Sequence, residues 1–228
     1  MSTLYVVGTP IGNLEDITLR ALRILKEVDV ILCEDTRETK KLLSRYDITK
    51  PTISYHTHSK LSKVDHILKL LEEGKNLALV SDAGTPGISD PGSYLVLKIK
   101  EAFGDEVTVV PIAGPNAAIA ALSASGFSAS DFLFLGFLPH KKGRETLFSE
   151  IVASERSVVF YESPHRILKT LVRLKELLRE SRTVVIGREI SKVYESFIRG
   201  SASEVLEHFT SHPDQVRGEF VVIVEGGR

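Results

Sequence analysis

The first half of the sequence alternates short apolar strands with amphipathic helices, and this alternation limits the fold more than any other feature. The predicted strands occupy residues 4–8, 28–34, 52–56, 76–82 and 107–111. The helices predicted between them occupy residues 17–26, 36–45, 60–73 and 91–101. Alternation of this kind over about 110 residues predicts a mostly parallel sheet that is covered by helices on both faces.

Several residues support the predicted helix boundaries. Gly74 follows the helix at residues 60–73, where glycine commonly ends a helix in the left-handed conformation. Asp35 or Thr36 can cap the start of the helix at residues 36–45. In the second half, Ser201 with Glu204 three residues later is typical of a capping box.

The pattern changes at residues 113–122, AGPNAAIAAL, which predict a small-residue helix after a Gly-Pro turn. We place the domain boundary here, with an N-terminal α/β domain at residues 1–114 and a C-terminal domain at residues 115–228. Strands are predicted in the second domain at residues 132–138, 157–162, 183–189, 194–199 and 220–224, and helices at 166–178 and 202–210. Several strands with few helices between them predict a mixed α+β domain with antiparallel pairs.

Charge and cysteine content narrow the functional class. The chain has 29 basic and 30 acidic residues, so it lacks the strongly basic character usual in nucleic-acid-binding domains, and any RNA contact must be local. Cys33 is the only cysteine, which excludes an intrachain disulfide or a thiolate metal cluster and favours the cytoplasm.

The sequence gives no sign of a membrane segment or a metal site. No apolar run approaches the roughly 18 residues that a membrane-spanning helix needs, and the first residues predict a strand rather than a signal peptide. His56 and His58 lack a third ordered ligand nearby. We therefore expect a cytoplasmic protein without a metal.

The most unusual segment is SDAGTPGISDPG at residues 81–92, which directly follows an apolar strand. Glycine allows positive φ, proline fixes φ, and Asp and Ser bond to nearby backbone amides, so the composition predicts a rigid, irregular loop. Open parallel sheets bind ligands beyond the carboxyl ends of their strands. We therefore expect a ligand site at this loop.

A second loop, GTPIGN at residues 8–13, follows the first strand and belongs to the same edge of the predicted sheet. It is not a dinucleotide fingerprint, because Pro10 stands where the second glycine should be and would block the close approach of a pyrophosphate. Glu34 lies where an acid would hold a ribose. A nicotinamide-dependent oxidoreductase therefore remains an alternative.

Charged residues gather at other predicted strand ends. The segments are EDTR at residues 34–37, FYESPHR at 160–166 and GREISKVYE at 187–195, and the basic segment HKKGR at 140–144 follows another strand. Each can be a local ion pair or a helix cap instead of part of a site. The basic segment is the best local candidate for RNA contact, although it can also be a solvated loop.

Together these motifs resemble the 16S ribosomal RNA small subunit methyltransferase I family, within the tetrapyrrole methylase superfamily. The matching segments run in order along nearly the whole chain: TPIGNL at 9–14, EDTR at 34–37, VSDAGTP at 80–86 with DPG at 90–92, GP at 114–115, GFLP at 136–139, FYES at 160–163 with HR at 165–166, RE at 188–189 and GE at 218–219. Eight segments in register are a much more specific signal than any one of them.

The resemblance implies 2′-O-methylation of a cytidine in the decoding region of 16S ribosomal RNA, with S-adenosylmethionine as methyl donor. It also implies a tetrapyrrole-methylase-like fold of two α/β domains, the first with a mostly parallel sheet and the second with a mixed sheet, a cofactor cleft between them, and a homodimer. The cofactor-binding positions that it implies are Pro10, Gly12, Asp82, Ala83, Gly84, Thr85, Pro86, Asn116, Ala117 and Tyr161.

A ribose hydroxyl is a poor nucleophile, so a general base would help its attack. The candidates are Glu34, Asp35, Glu162 and Glu189. The candidates for holding phosphate or sugar are Arg37, Lys141, Lys142, Arg144, His165, Arg166 and Arg188. Some members of the family carry a C-terminal helical extension that is not found here, so we expect the two-domain body or a dimer partner to grip the RNA.

Other functions remain open at this stage. Within the superfamily, the acceptor can be a tetrapyrrole or a protein of the diphthamide pathway. Outside it, a non-enzymatic RNA-assembly factor would need a basic face but not the loop at residues 81–92, and an oxidoreductase would bind NAD.

Overall fold

The computed structural model describes residues 1–56, 61–90 and 92–227 of the chain. It divides into two compact units, Met1–Asn116 and Ala117–Arg228. Within the described residues, no helix is both long and apolar enough to cross a membrane. Each unit contains one five-stranded sheet with its own helices.

The first unit is built on a parallel sheet. Its strands are β1 (Thr3–Val7), β2 (Val30–Cys33), β3 (Thr52–Ser54), β4 (Leu77–Leu79) and β5 (Thr108–Ile112), in the order β3-β2-β4-β1-β5. All neighbouring strands pair in parallel. The connecting helices are α1 (Leu19–Glu27), α2 (Thr36–Arg45), α3 (Leu61–Glu72) and α4 (Ser93–Phe103). The prediction of a parallel α/β unit is confirmed, while the predicted starts of two helices, residues 60 and 91, lie outside the described residues.

The sheet of the first unit is buried on both faces. Leu77 and Leu79 of β4 belong to one apolar cluster, while Ala78 between them belongs to another. All three residues are at most 1% exposed. Successive side chains of a strand point to opposite faces, so β4 contributes to a core on each side of the sheet. This arrangement explains why β4 is apolar without alternation.

The second unit has a mixed sheet. Its strands are β6 (Phe132–Phe137), β7 (Ser157–Glu162), β8 (Thr183–Arg188), β9 (Ser196–Ser201) and β10 (Phe220–Val224), in the order β6-β7-β10-β8-β9. Strand β6 pairs with β7 in parallel, and the other neighbouring pairs are antiparallel. The helices are α5 (Ala117–Ala124), α6 (Arg144–Ala153), α7 (Ile167–Leu177) and α8 (Ala202–Ser211). The predicted mixed sheet with antiparallel pairs is confirmed.

Two details of the second unit differ from the predicted elements. Helix α6 was not predicted, and the expectation of few helices between strands is wrong, because α6 and α7 both connect parallel strands. Only Phe148 and Ile151 of α6 are buried, so the sequence of this helix lacks a clear apolar stripe from which it could be predicted. The strand predicted at residues 194–199 begins two residues later, at Ser196.

The predicted helix ends are confirmed by their hydrogen bonds. The side chain of Asp35 accepts a hydrogen bond from the Arg37 amide and caps α2. Ser201 and Glu204 form the predicted capping box at the start of α8. Gly74 has φ +86° just after α3. Local sequence signals therefore determine where these helices begin and end.

The topology brings loops together at one edge of each sheet. In the first unit, the parallel strands all direct their carboxyl ends to the same edge. In the second unit, β6, β7 and β8 run in the same direction, so their carboxyl ends share an edge with the start of the antiparallel β10. Most of the candidate site residues follow these strand ends.

Candidate functional site

The two glycine-rich loops of the first unit are joined by a backbone bridge. The Thr9 amide donates to the Gly84 carbonyl over 2.8 Å, and the Gly84 amide donates back to the Thr9 carbonyl over 3.1 Å. The Thr9 hydroxyl also lies 3.1 Å from the Ser81 carbonyl oxygen. Residues 8–13 and 81–86 therefore form one connected structure at the sheet edge, as their shared position at the ends of β1 and β4 predicts.

The loop after β5 joins the same structure through a close backbone contact. A Cβ atom placed on Gly8 would lie 2.8 Å from the Cα atom of Gly114, closer than real Cβ contacts. The Thr85 hydroxyl donates to the Pro115 carbonyl over 3.2 Å. Gly84, with φ +83°, supplies the left-handed turn between these contacts.

These contacts place most of the predicted cofactor-binding positions together. Pro10, Gly12, residues 82–86 and Asn116 lie in the three loops that the contacts connect, and Gly12, Asp82 and Ala83 are exposed. Ala117 is the first residue of α5 in the second unit. Tyr161 lies in β7, where its ring is 5.2 Å from the rings of both Phe134 and Phe137.

Three carboxyl groups of the first unit influence one another beside these loops. Burial and the neighbouring charge of Asp82 raise the pKa of Glu34, although His56 opposes them. Burial, with the charge of Glu34, raises the pKa of Asp90 to about 6, although a hydrogen bond from Ser81 opposes the shift. Asp90 was missed as a site residue, although the two aspartates in one short loop were a signal that could have identified it.

Asp35 lies beside this group but is engaged elsewhere. Its amide donates to an Asp82 oxygen over 3.0 Å, which ties the end of β2 to the end of β4. Its carboxylate caps α2 and pairs with the Arg37 guanidinium at 2.6 Å. Hydrogen bonds from Arg37 lower the pKa of Asp35 to about 2. The Arg37 side chain itself is 85% exposed, so it can still reach a ligand.

Glu162, at the end of β7, is fully buried beneath two arginines. Its side chain has no exposed area, and its oxygens lie 2.9 Å from Arg144 and 2.7 Å from Arg166. The Thr170 hydroxyl and the Ser163 amide also donate to it, over 2.7 and 2.8 Å. Both carboxylate oxygens are therefore occupied within the protein.

The same two arginines hold the basic loop between β6 and α6. Arg166 donates to the Leu138 carbonyl over 2.7 Å, and Arg144 donates to the Pro139 carbonyl over 3.2 Å. Their side chains are only 15% exposed. The lysines at the tip of this loop, Lys141 and Lys142, are exposed, and His165 is exposed at the neighbouring strand end. The structure thus brings together five of the predicted RNA-binding residues.

Arg188 and Glu189, at the end of β8, also make extensive internal contacts. Arg188 is 7% exposed, and its guanidinium donates to the carbonyls of Tyr194 and Arg217 over 3.0 and 3.1 Å. Glu189 accepts hydrogen bonds from Lys192 and from the Glu219 amide, each over 2.9 Å. Burial alone would raise the pKa of Glu189, but these hydrogen bonds keep it below its ordinary value.

A metal centre finds no support in the part of the chain that the structure describes. No three His, Cys, Asp or Glu residues among residues 1–56, 61–90 and 92–227 are arranged to hold a metal ion. His58, one of the two histidines considered from the sequence, lies outside the described residues.

Comparison with known proteins identifies similar sequences and folds. Residues 3–206 match the family model described as Tetrapyrrole (Corrin/Porphyrin) Methylases. The chain is 48% identical to ribosomal RNA small subunit methyltransferase I of Bacillus subtilis, over 99% of this chain and 76% of the relative. It is 47% identical to the protein of the same name from Thermotoga maritima, over 99% of each. A solved cobalt precorrin-4 methyltransferase has a similar fold, with a TM-score of 0.68 at 17% identity, over 98% of this chain and 94% of that one.

Proposed function

The chain belongs to the ribosomal RNA small subunit methyltransferase I family of tetrapyrrole methylases, and we propose that it transfers a methyl group from S-adenosylmethionine to small-subunit ribosomal RNA. The acceptor we propose is the 2′-hydroxyl of a cytidine in the decoding region. The observation that carries this proposal is the match of nearly the whole chain to relatives of that name, together with the connected loops at the sheet edge of the first unit.

The loops of the first unit suit S-adenosylmethionine. When bound, this cofactor supplies a methyl group on a positively charged sulfur. The carboxylates of Glu34, Asp82 and Asp90 influence one another here and would favour a cationic ligand. Asp82 and the backbone of residues 83–86 would hold the cofactor, while Gly84 allows the left-handed turn within this segment. Ala117 and Tyr161 remain predictions from the family resemblance.

Among the four candidate bases, Glu34 is the one we retain. The Asp35 carboxylate is paired with Arg37 and has a pKa of about 2, which makes it a weak base. Glu162 is buried with both oxygens engaged, and Glu189 is paired with Lys192. Glu34 is partly buried and has a raised pKa, so it would accept a proton from a ribose hydroxyl more readily than Asp35.

For RNA binding we propose the exposed cations as contacts and the buried ones as supports. Lys141, Lys142 and Arg37 are exposed and would meet phosphate groups. His165 is exposed beside the basic loop and would contact phosphate or sugar. Arg144, Arg166 and Arg188 are largely used on carbonyl groups of their own unit, so we assign them to holding loops in place.

The direct test is methyl transfer from labelled S-adenosylmethionine to purified 16S ribosomal RNA or to the small ribosomal subunit, followed by digestion to nucleosides. Labelled 2′-O-methylcytidine is the expected product. Label in a tetrapyrrole or a protein, and none in RNA, would refute the RNA assignment. A second test titrates the protein with S-adenosylmethionine and with NAD and measures the rise in Tm that each produces. Stabilisation by NAD alone would support an oxidoreductase.

Two further expectations accompany this proposal. We propose a homodimer in solution, which sedimentation will test directly. We also propose that the protein works in the cytoplasm, where its RNA substrate would be found; fractionation of cells followed by detection of the protein tests this placement.

A further inference from the structure

The loop between β8 and β9 exposes two large apolar side chains at its tip. Val193 is 93% exposed and Tyr194 is 72% exposed. Neither side chain was identified as functional from the sequence. Scattered apolar residues are common on protein surfaces, so exposure alone does not indicate a function. The backbone that carries these two side chains is what makes them unusual.

The backbone of this loop is held in an unfavourable conformation. Glu189 and Ser191 have φ values of +51° and +68°, in the left-handed region that residues with side chains rarely adopt. Such residues persist only where the surrounding contacts impose them, and they concentrate at ligand-binding sites.

Several internal contacts impose this conformation. Lys192 pairs with Glu189 at 2.9 Å and with Glu219 at 3.0 Å. The Ser191 amide donates to the Glu195 carboxylate over 2.6 Å. The tip is thus fixed on both sides of Val193 and Tyr194. An aromatic side chain on a rigid support loses little conformational entropy when it binds a ligand.

Arg188 connects the aromatic residue to an exposed cation. Its buried guanidinium donates to the backbone carbonyls of Tyr194 and Arg217, over 3.0 and 3.1 Å. Arg217 is exposed, and among the described residues its side chain has no ion-pair or hydrogen-bond partner. One buried arginine therefore ties the backbone of an exposed tyrosine to the backbone of an exposed arginine.

An exposed ring and an exposed cation whose backbones are tied together match the chemistry of a single nucleotide. Aromatic side chains stack on unpaired bases, and arginine pairs with the phosphate of the backbone. A second copy of the chain is a poorer fit, because a stable protein interface involves about 20–30 residues on each side. The exposed apolar surface here comes mainly from Val193 and Tyr194.

We propose that Tyr194 and Arg217 form a binding site for one unpaired nucleotide of an RNA strand, with Tyr194 stacking on the base and Arg217 contacting a phosphate. Arg188 acts as the positioning residue that holds both. This inference rests on the proposed RNA-modifying function. It adds a contact that binds single-stranded RNA in preference to duplex RNA.

The test compares the variants Tyr194→Ala, Tyr194→Phe and Arg217→Ala with wild type in binding to single-stranded oligocytidylate and to 16S ribosomal RNA. Tyr94→Ala is the control, since Tyr94 is an exposed tyrosine of the first unit. Tyr194→Ala should weaken binding about 5- to 160-fold, the range of one base stack. Tyr194→Phe keeps the ring and should restore most of the affinity.

Salt dependence separates the two contacts. Arg217→Ala should reduce the slope of log affinity against log salt by about 0.7, the value of one phosphate contact to a single strand, whereas Tyr194→Ala should leave the slope unchanged. Pairing the oligocytidylate with its complement should abolish the effect of Tyr194→Ala, because a base in a duplex cannot stack on the ring.

Three results would overturn the proposal. They are unchanged RNA affinity in Tyr194→Ala, weaker binding of S-adenosylmethionine instead of RNA, and a change in sedimentation that places Tyr194 in contact with a second copy. Methyl transfer by the wild-type protein distinguishes these outcomes from failure of the proposed function. If wild type methylates RNA and Tyr194→Ala does so equally well with unchanged affinity, only this inference fails; if wild type neither binds nor methylates RNA, both fail.

Discussion

The contact between Gly8 and Gly114 gives the sharpest prediction about the loops of the first unit. Replacing Gly8 with alanine places a Cβ atom 2.8 Å from the Gly114 Cα atom, while ordinary contacts begin at 3.4 Å. The ends of β1 and β5 must therefore separate by about 0.6 Å. The hydrogen bond from the Gly8 amide to the Ile112 carbonyl, already 3.2 Å long, would then be lost.

Overpacking of this kind costs about 1–3 kcal/mol in unfolding free energy. For a chain of 150–250 residues, each kcal/mol lowers Tm by about 2–4 °C, so we expect Gly8→Ala to lower Tm by about 2–12 °C. Because the shifted strand ends carry the connected loops, S-adenosylmethionine should also bind at least about tenfold more weakly, equivalent to about 1.4 kcal/mol. Calorimetric titration and thermal unfolding measure the two effects on the same sample.

Gly74→Ala is the matched control for this experiment. Gly74 has φ +86° and open space around its Cα atom, so alanine there pays about 1–2 kcal/mol for the left-handed conformation without moving a neighbour. It should lower Tm by a similar amount and leave cofactor affinity unchanged. The reasoning is refuted if Gly8→Ala binds S-adenosylmethionine as wild type does, or if Gly74→Ala loses the same affinity.

Four further predictions concern other side chains. Glu34→Gln should lower kcat for RNA methylation by about 100-fold or more if Glu34 is the base, with RNA affinity retained; an unchanged kcat would exclude that role. The raised pKa of Asp90, about 6 against 3.8, means that the folded state holds this proton more tightly, so stability should fall as pH rises from about 4 to 6. Asp90→Asn should remove that loss and have the higher Tm above pH 6 but not below pH 4, which unfolding across this pH range will measure. Glu162→Ala leaves two buried guanidiniums uncompensated and should lower the free energy of unfolding by about 3–5 kcal/mol. Glu162→Gln should lower it less. If Glu162→Gln is as stable as wild type but methylation is abolished, Glu162 would instead be identified as a general base. The double substitution of Lys141 and Lys142 by alanine should weaken RNA binding and reduce its salt slope by about one to two without affecting cofactor binding; an unchanged slope would exclude phosphate contacts there.

Sequence patterns predicted the elements of this fold better than their arrangement. All ten strands seen among the described residues and most of their helices were predicted, because apolar runs, caps and glycines are local signals. The order of the strands and the antiparallel position of β10 between β7 and β8 depend on contacts distant in sequence. Helix α6 was missed for a related reason, since its burial depends on the unit around it and not on a strong apolar stripe of its own.

The candidate site was predictable to a similar extent. The loops at residues 8–13 and 81–92 were found from their glycine and proline content, which determines backbone conformation directly. The role of each charged side chain could not be predicted from residue content. Arg166 and Arg188 are equally plausible RNA contacts in the sequence, yet the guanidinium of each is engaged by carbonyl groups that only the folded chain brings near.

The two units hold their functional loops by different chemistry, and this difference has a consequence for mutation. In the first unit, backbone hydrogen bonds and glycine contacts connect the loops, so substitutions that add atoms at these contacts should disturb cofactor binding strongly. In the second unit, buried guanidiniums hold the loops, so removal of a side chain should have the larger effect on RNA. Substitution of exposed Ala83 should therefore change little, whereas a Cβ atom at Gly8 or Gly114 forces two strand ends apart.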